Sequence, residues 1–272
     1  MRIGIMTDME GLAGVDHWEQ CYAEDDDAAT YRHGLEQLAA DTNAAVAGCF
    51  DTGATEVIVW DGHGRNLQQA FTRVDLDPRA QLARVVAEKS VRIEGVDADL
   101  AGVLMIGQHA MAGTTRAFLD HTQNPKDVCR FTINGEEHGE MSQFALYAGA
   151  AGVPLLYAAG DECLCAEAAR LFPWVHTTAT KRGTGWSTCS LYPVHEIRAA
   201  IRRDVADAIR QRADAQTWRL TMPLNLAVEF AWSALADERD GAPGVSRPHA
   251  RVLAWTIDDP RLIYDWPRAR KQ

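Results

Sequence analysis

Short apolar runs alternate with longer helical stretches along most of the chain. Ile3–Thr7, Val57–Trp60, Val103–Ile106, Arg130–Ile133 and Pro154–Ala158 are continuous rather than alternating, which predicts strands buried on both faces. Between them, Ala28–Phe50 sets Leu35, Leu38, Ala39, Ala45, Val46 and Cys49 on one helical stripe, with Gly53 as its stop. The acidic run Glu24-Asp25-Asp26-Asp27 precedes this helix, where negative charge suits the positive end of the helix dipole. Further helices are predicted over Gly139–Ala150, Ala166–Leu171 and Val194–Arg212, the last lined by Val194, Ile197, Ile201, Val205, Ala208 and Ile209. Leu224–Ala231 and Arg251–Ile257 read as later strands, on an edge or in a smaller subdomain. The pattern predicts an α/β fold, a three-layer α/β/α arrangement around a largely parallel or mixed sheet. An α/β metal-binding core is expected over residues 1–190 and a smaller C-terminal subdomain over 191–272.

Composition narrows the function. The 272 residues are long enough to bury a large core without staples. Lys plus Arg number 27 against 38 Asp plus Glu, a net charge of −11, so the basic footprint that nucleic acid or an anionic membrane needs is missing. No apolar run approaches the ~20 residues that span a bilayer. Met1–Met6 leads straight into an acidic loop without the apolar stretch of a signal peptide. The cysteines Cys21, Cys49, Cys129, Cys163, Cys165 and Cys189 are dispersed and read as reduced thiols, Cys163 and Cys165 as small buried hydrophobes. A cytoplasmic protein is expected.

The chemistry lies where the strands end. Ile3–Met6 is followed by Thr7-Asp8-Met9-Glu10-Gly11, Val57–Trp60 by Asp61-Gly62-His63-Gly64, and Val103–Ile106 by Gly107-Gln108-His109. After Arg130–Ile133 and a turn, Glu137-His138-Gly139-Glu140 enters a helix. In open α/β sheets, ligands bind outside the carboxyl ends of the strands. Each piece alone has a plain explanation: a carboxylate pair can be solvated, a histidine between glycines can be a turn residue, and Glu140 can serve the helix dipole. Together Asp8, Glu10, His63, His109 and Glu140 form a mixed nitrogen and oxygen donor set suited to Zn²⁺, with Mn²⁺ or Co²⁺ as alternatives. Three carboxylates and two imidazoles exceed the usual ligand set of one catalytic zinc, which points to two metals and to Asp8 as the bridging carboxylate. His121, in Leu119-Asp120-His121-Thr122, can reach the same crevice as a general acid or base. His138 is expected at the exposed start of its helix, and Lys181 at a solvated strand end. His17, His33, His176, His195 and His249 lack ligand-like surroundings. Neither a serine-nucleophile elbow nor a phosphate-cradling glycine loop is found.

The ordered set Asp8-Met9-Glu10-Gly11, Asp61-x-His63, Gly107-x-His109, His121 and Gly139-Glu140 resembles peptidase family M55, the D-aminopeptidases. Supporting stretches include Thr55–Val59, Ile133-Asn134, Ala159-Gly160-Asp161 and Val228-Glu229-Phe230-Ala231, so the likeness spans most of residues 1–231. The resemblance implies two Zn²⁺ per subunit, with Asp8 bridging, Glu10 and His109 on one ion, His63 and Glu140 on the other, and His121 in the catalytic role. It also implies a homo-oligomer, a decamer of two pentamers, that releases an N-terminal D-amino acid from short peptides or amino acid amides. Two rivals use the same residues differently. A two-metal phosphoesterase would need basic clamps, for which Arg65 and Arg116 are the nearest; a peptide-binding protein would bind without turnover.

Overall fold

The computed structural model describes residues 1–22, 28–63, 70–87 and 90–267; the acidic run at 24–27 and Arg65 lie outside them. The strands are β1 (Arg2–Thr7), β2 (Glu56–Asp61), β3 (Ala80–Ala83), β4 (Val85–Ala87), β5 (Val91–Ile93), β6 (Leu100–Gln108) and β7 (Val128–Ile133). They continue with β8 (Glu136–Glu137), β9 (Leu155–Asp161), β10 (His176–Gly185), β11 (Thr188–Leu191), β12 (Leu224–Phe230), β13 (Ser246–His249) and β14 (Val252–Ile257). The helices are α1 (Ala29–Phe50), α2 (Glu140–Ala150), α3 (Glu162–Leu171), α4 (Val194–Arg210) and the short α5 (Ser233–Asp237). None of the described helices is long and apolar enough to cross a membrane.

The main sheet has the order β11-β10-β9-β6-β1-β2-β3, parallel throughout except for the edge hairpin β10–β11. Successive side chains point to opposite faces of a strand, and two cores result. Ile3, Ile5, Val57, Val59, Leu104 and Ile106 pack on Leu35, Leu38, Val46, Ile201 and Val205 of α1 and α4. Met6, Ile58, Trp60, Val103 and Met105 face the other way, onto Met141 and Phe144 of α2 and onto Phe131, Leu226 and Trp255. These last three belong to a second, antiparallel sheet ordered β13-β14-β12-β7-β8. The expected layered α/β fold with a largely parallel sheet is what forms.

The strand expected at Arg130–Ile133 is therefore not a doubly buried member of the main sheet. β7 pairs antiparallel with β12 and exposes Cys129 and Arg130, because one of its faces looks to solvent. The described residues 191–267 supply α4 to the same layer as α1, where Arg198 Nε donates to buried Asp41 at 2.9 Å, and supply β12–β14 to the sheet that holds β7. Lys181 is the sharpest departure from expectation. It is fully buried, because its ammonium donates to the carbonyls of Glu10 and Val15, both at 2.6 Å. Cys163 and Cys165 are half-buried rather than buried, since α3 turns Leu164, Glu167 and Ala168 inward and leaves the two cysteines on its flanks.

Candidate metal centre

Parallel β1, β2 and β6 end together, so their carboxyl ends deliver Asp8, Glu10, His63 and His109 to one crevice. Two glycines allow the β1 and β6 loops to meet. Gly11 N–H donates to Gly107 O at 2.8 Å, and a Cβ on Gly11 would lie 1.9 Å from Gln108 O. Gly107 has φ of 77°, in the left-handed region open to glycine, and a Cβ there would lie 2.1 Å from Asp8 O. Asp61 braces the β2 loop, accepting from the backbone of His63 at 3.3 Å and of Ala70 at 3.1 Å. Glu140 arrives from the other layer: the β7–β8 turn leads into α2, and its first residue reaches the crevice from above the sheet.

The donor atoms converge. Glu10 Oε1 stands 3.3 Å from His63 Nε2, and His109 Nε2 stands 3.4 Å from Asp8 Oδ2 and 3.5 Å from Glu140 Oε1. They gather in two triads, Asp8–Glu10–His63 and His109–His121–Glu140, each with donors within 4.8 Å of one another. Glu10 thus stands with His63 and Glu140 with His109, a different grouping from the one the resemblance implies. The His121 ring stacks on His109 at 3.8 Å, and its Nε2 is 3.8 Å from Glu140 Oε1. The crevice holds all six residues singled out in the sequence.

Neighbours fix the imidazoles. His109 Nδ1 faces Ala110 O at 3.0 Å and His121 Nδ1 faces Leu119 O at 2.8 Å, so each keeps a proton there and turns its Nε2 inward. Gln108, to which the sequence reading gave no role, donates to Asp8 Oδ2 at 2.7 Å, and Met9 N–H donates to Asp8 Oδ1 at 3.0 Å. Gln123 N–H donates to Glu140 at 2.7 Å. Tyr22 is another residue missed: its hydroxyl is 3.5 Å from His121 Nε2. Trp18 and Tyr22 stand four apart in the sequence, the one signal that pairs them. His138 is not exposed but buried, its Nδ1 3.2 Å from Ser142 Oγ and its ring against Trp218, because α2 docks its first turn into the core.

Three carboxylates in a buried crevice repel one another unless positive charge lies among them. Burial raises the Asp8 carboxyl well above the usual range, and the charge of Glu10 adds to the effect. Burial works the same way on Glu10, but His63 outweighs it and holds that carboxyl well below its usual value. Burial alone would lower His63; Glu10 instead raises it to about 9. Glu140 is drawn down to about 2 against its burial by His109. His121 is lowered, by burial and by its neighbour His109. The carboxylates demand positive charge. Glu10 Oε1, His63 Nε2 and His109 Nε2 are nevertheless buried without a hydrogen-bond partner, and an unpaired buried polar atom is costly. A divalent cation, ligated by the same atoms, meets both demands, so the residues fit a metal.

The family is decided by the whole chain. The model of Peptidase_M55, described as D-aminopeptidase, matches residues 1–269. The chain belongs to peptidase family M55. A curated relative, the D-aminopeptidase of Bacillus subtilis strain 168, is 28% identical over 246 residues, which cover 90% of this chain and 86% of the relative. A solved structure, described as the Zn-dependent D-aminopeptidase DppA from Bacillus subtilis, a self-compartmentalizing protease, superposes with a TM-score of 0.88 at 26% identity. That match covers 97% of this chain and 94% of DppA. M55 membership bears out the expected enzyme, a metal-dependent hydrolase, and the resemblance drawn from the ordered motifs between Asp8 and Glu140.

Proposed function

We propose that this chain is a dizinc aminopeptidase that removes the N-terminal residue, a D-amino acid, from short peptides or amino acid amides. The observation that carries the reading is the convergence on one crevice of buried Glu10 Oε1, His63 Nε2 and His109 Nε2, none of which has a hydrogen-bond partner. Asp8, Glu10 and His63 would hold one ion and Asp8, His109 and Glu140 the other, with Asp8 shared because it sits between the triads. Two bound zinc ions supply Lewis acidity and lower the pKa of water towards ~7.

The chain's own residues do the rest. His121 has its Nδ1 committed to Leu119 O and its Nε2 turned into the crevice beside Glu140. It can therefore accept a proton at Nε2 and return it to the leaving nitrogen. Gln108 and the Met9 N–H hold the Asp8 carboxylate in one orientation, so the crevice is organised before substrate arrives. Glu10 is wholly buried, so its carboxylate meets the crevice without competing contact with bulk water. We also read the chain as a homo-oligomer, because DppA is self-compartmentalizing; the decamer implied by the resemblance would appear as a tenfold mass in light scattering.

Elemental analysis of purified protein, with a panel of D- and L-aminoacyl amides, tests the reading. Two zinc ions per chain and release of the free D-amino acid are expected. Turnover that survives chelation, or phosphate release from aryl phosphates with every amide intact, would overturn it.

A further inference from the structure

Beside the polar crevice stands a surface of another kind. Trp18 and Tyr22 stack with ring centres 4.0 Å apart and planes at 21°, and Trp186 leans on Trp18 at 5.4 Å. The Tyr22 ring also lies 4.8 Å from that of His63, and its hydroxyl is 3.5 Å from His121 Nε2. One aromatic residue thus touches a member of each triad, and the stack behind it runs outward to Trp186, which is 46% exposed.

These rings are held, not draped. The 3-10 turn Trp18–Gln20 is tied down by Gln20, whose Oε1 accepts from the backbone of Asp16 and His17, both at 2.8 Å, and whose Nε2 donates to Gly14 O at 3.3 Å. Tyr22 N–H donates to Trp18 O at 2.9 Å. Helix α1 presses on this turn at Gly34, where a Cβ would lie 1.9 Å from Gln20 O. Trp186 is fastened to the segment that carries His121: its carbonyl accepts from Leu119 N–H at 2.7 Å and its indole donates to Asp120 O at 3.2 Å. Rigid aromatic rings offer large apolar area at small entropic cost, and a phenol adds one hydrogen-bond donor at the polar end.

We infer that Tyr22, Trp18 and Trp186 form the substrate-facing wall of the metal crevice, selecting an apolar side chain on the residue released, with the Tyr22 hydroxyl donating to the scissile carbonyl oxygen. The inference rests on the aminopeptidase reading for its substrate. Ordinary phenols stay protonated at neutral pH, so Tyr22 is a donor where negative charge builds on that oxygen. An apolar side chain laid along Trp18 and Trp186 would cover ring surface that water now meets, which favours binding in proportion to the apolar area removed from water.

The test uses zinc-loaded full-length protein and the variants Tyr22→Phe, Trp18→Ala and Trp18→Phe. Turnover of D-alanine amide is measured alongside calorimetric binding of the hydroxamates of D-alanine and D-phenylalanine. Tyr22→Phe should keep the parental zinc content and lose at least tenfold in kcat, with KM changed less than threefold. Trp18→Ala should bind D-phenylalanine hydroxamate at least tenfold more weakly and D-alanine hydroxamate within threefold of the parent, and Trp18→Phe should restore most of the loss. Unchanged kcat in Tyr22→Phe, or equal weakening of both hydroxamates in Trp18→Ala, would overturn the inference and leave the aminopeptidase reading standing. A parent that cleaves no amide yet discriminates the hydroxamates through Trp18 would overturn that reading and leave the wall in place.

Discussion

Gly11→Ala is the smallest change that should take the metal centre apart. Its Cβ would lie 1.9 Å from Gln108 O and 2.7 Å from the carbonyl carbons of Gln108 and Gly107, all backbone atoms that no rotamer change can move. Ordinary contact begins near 3.4 Å, so the β1 and β6 loops must separate by about 1.5 Å. Forced insertion into a packed site costs roughly 1–3 kcal/mol, about 2–12 °C in melting temperature for a chain of this size. The separation falls between Asp8 and Glu10 on one loop and His109 on the other, now 3.4 Å from Asp8 Oδ2. A displacement of ~1 Å at a reacting centre costs on the order of a hundredfold in rate. The assay pairs thermal melts with chelator competition for zinc, using Gly53→Ala as the control. Gly53 has φ of 80° but open space around it, so its alanine should cost about 1 kcal/mol of backbone strain and leave zinc affinity alone. A Gly11→Ala protein with the parental melting temperature and zinc affinity would refute the claim that close approach of these loops assembles the site.

Three further outcomes follow from the same geometry. His121→Ala should keep both metals and lose at least a hundredfold in turnover, because its Nε2 serves the proton; loss of one metal in elemental analysis would make His121 a ligand instead. Gln108→Leu frees Asp8 Oδ2 from its 2.7 Å hydrogen bond and should weaken zinc binding 10–100-fold in chelator competition. Asp41 carries the pH dependence of the α1–α4 contact. Burial raises its carboxyl above the usual value despite Arg198, so the folded state disfavours its charge. Its contribution to stability is therefore full below the unfolded carboxylate pKa near 3.9 and is lost as pH rises through the higher folded value. Melts in chelator across that interval should show the parent losing ground to Asp41→Asn as pH rises, and a constant difference would contradict this.

Much of the site was legible because a buried strand that ends in polar residues leaves a written edge. Val57–Trp60 running into Asp61-Gly62-His63, and Val103–Ile106 into Gly107-Gln108-His109, are such edges. What pattern could not carry was which sheet a strand joins. Arg130–Ile133 read like its neighbours, yet β7 lies half-exposed in the antiparallel sheet, and Glu140 enters from that layer. Lys181 sits in the polar run of β10, and its burial depends on carbonyls of Glu10 and Val15 brought from the far end of the chain. The hydrogen bond from Gln108 to Asp8 and the place of Tyr22 beside His121 likewise arise from contacts 100 and 99 residues apart in sequence. Short β3, β4, β5 and β13 give too little length for any period to show.

Anomalous diffraction at the zinc absorption edge, from crystals of the zinc-loaded protein, reaches the central claim most directly. Two peaks ~3.5–4 Å apart are expected on either side of the Asp8 carboxylate, one against Glu10 and His63 and the other against His109 and Glu140. One peak, or none in a crevice that keeps all five side chains in place, would contradict it.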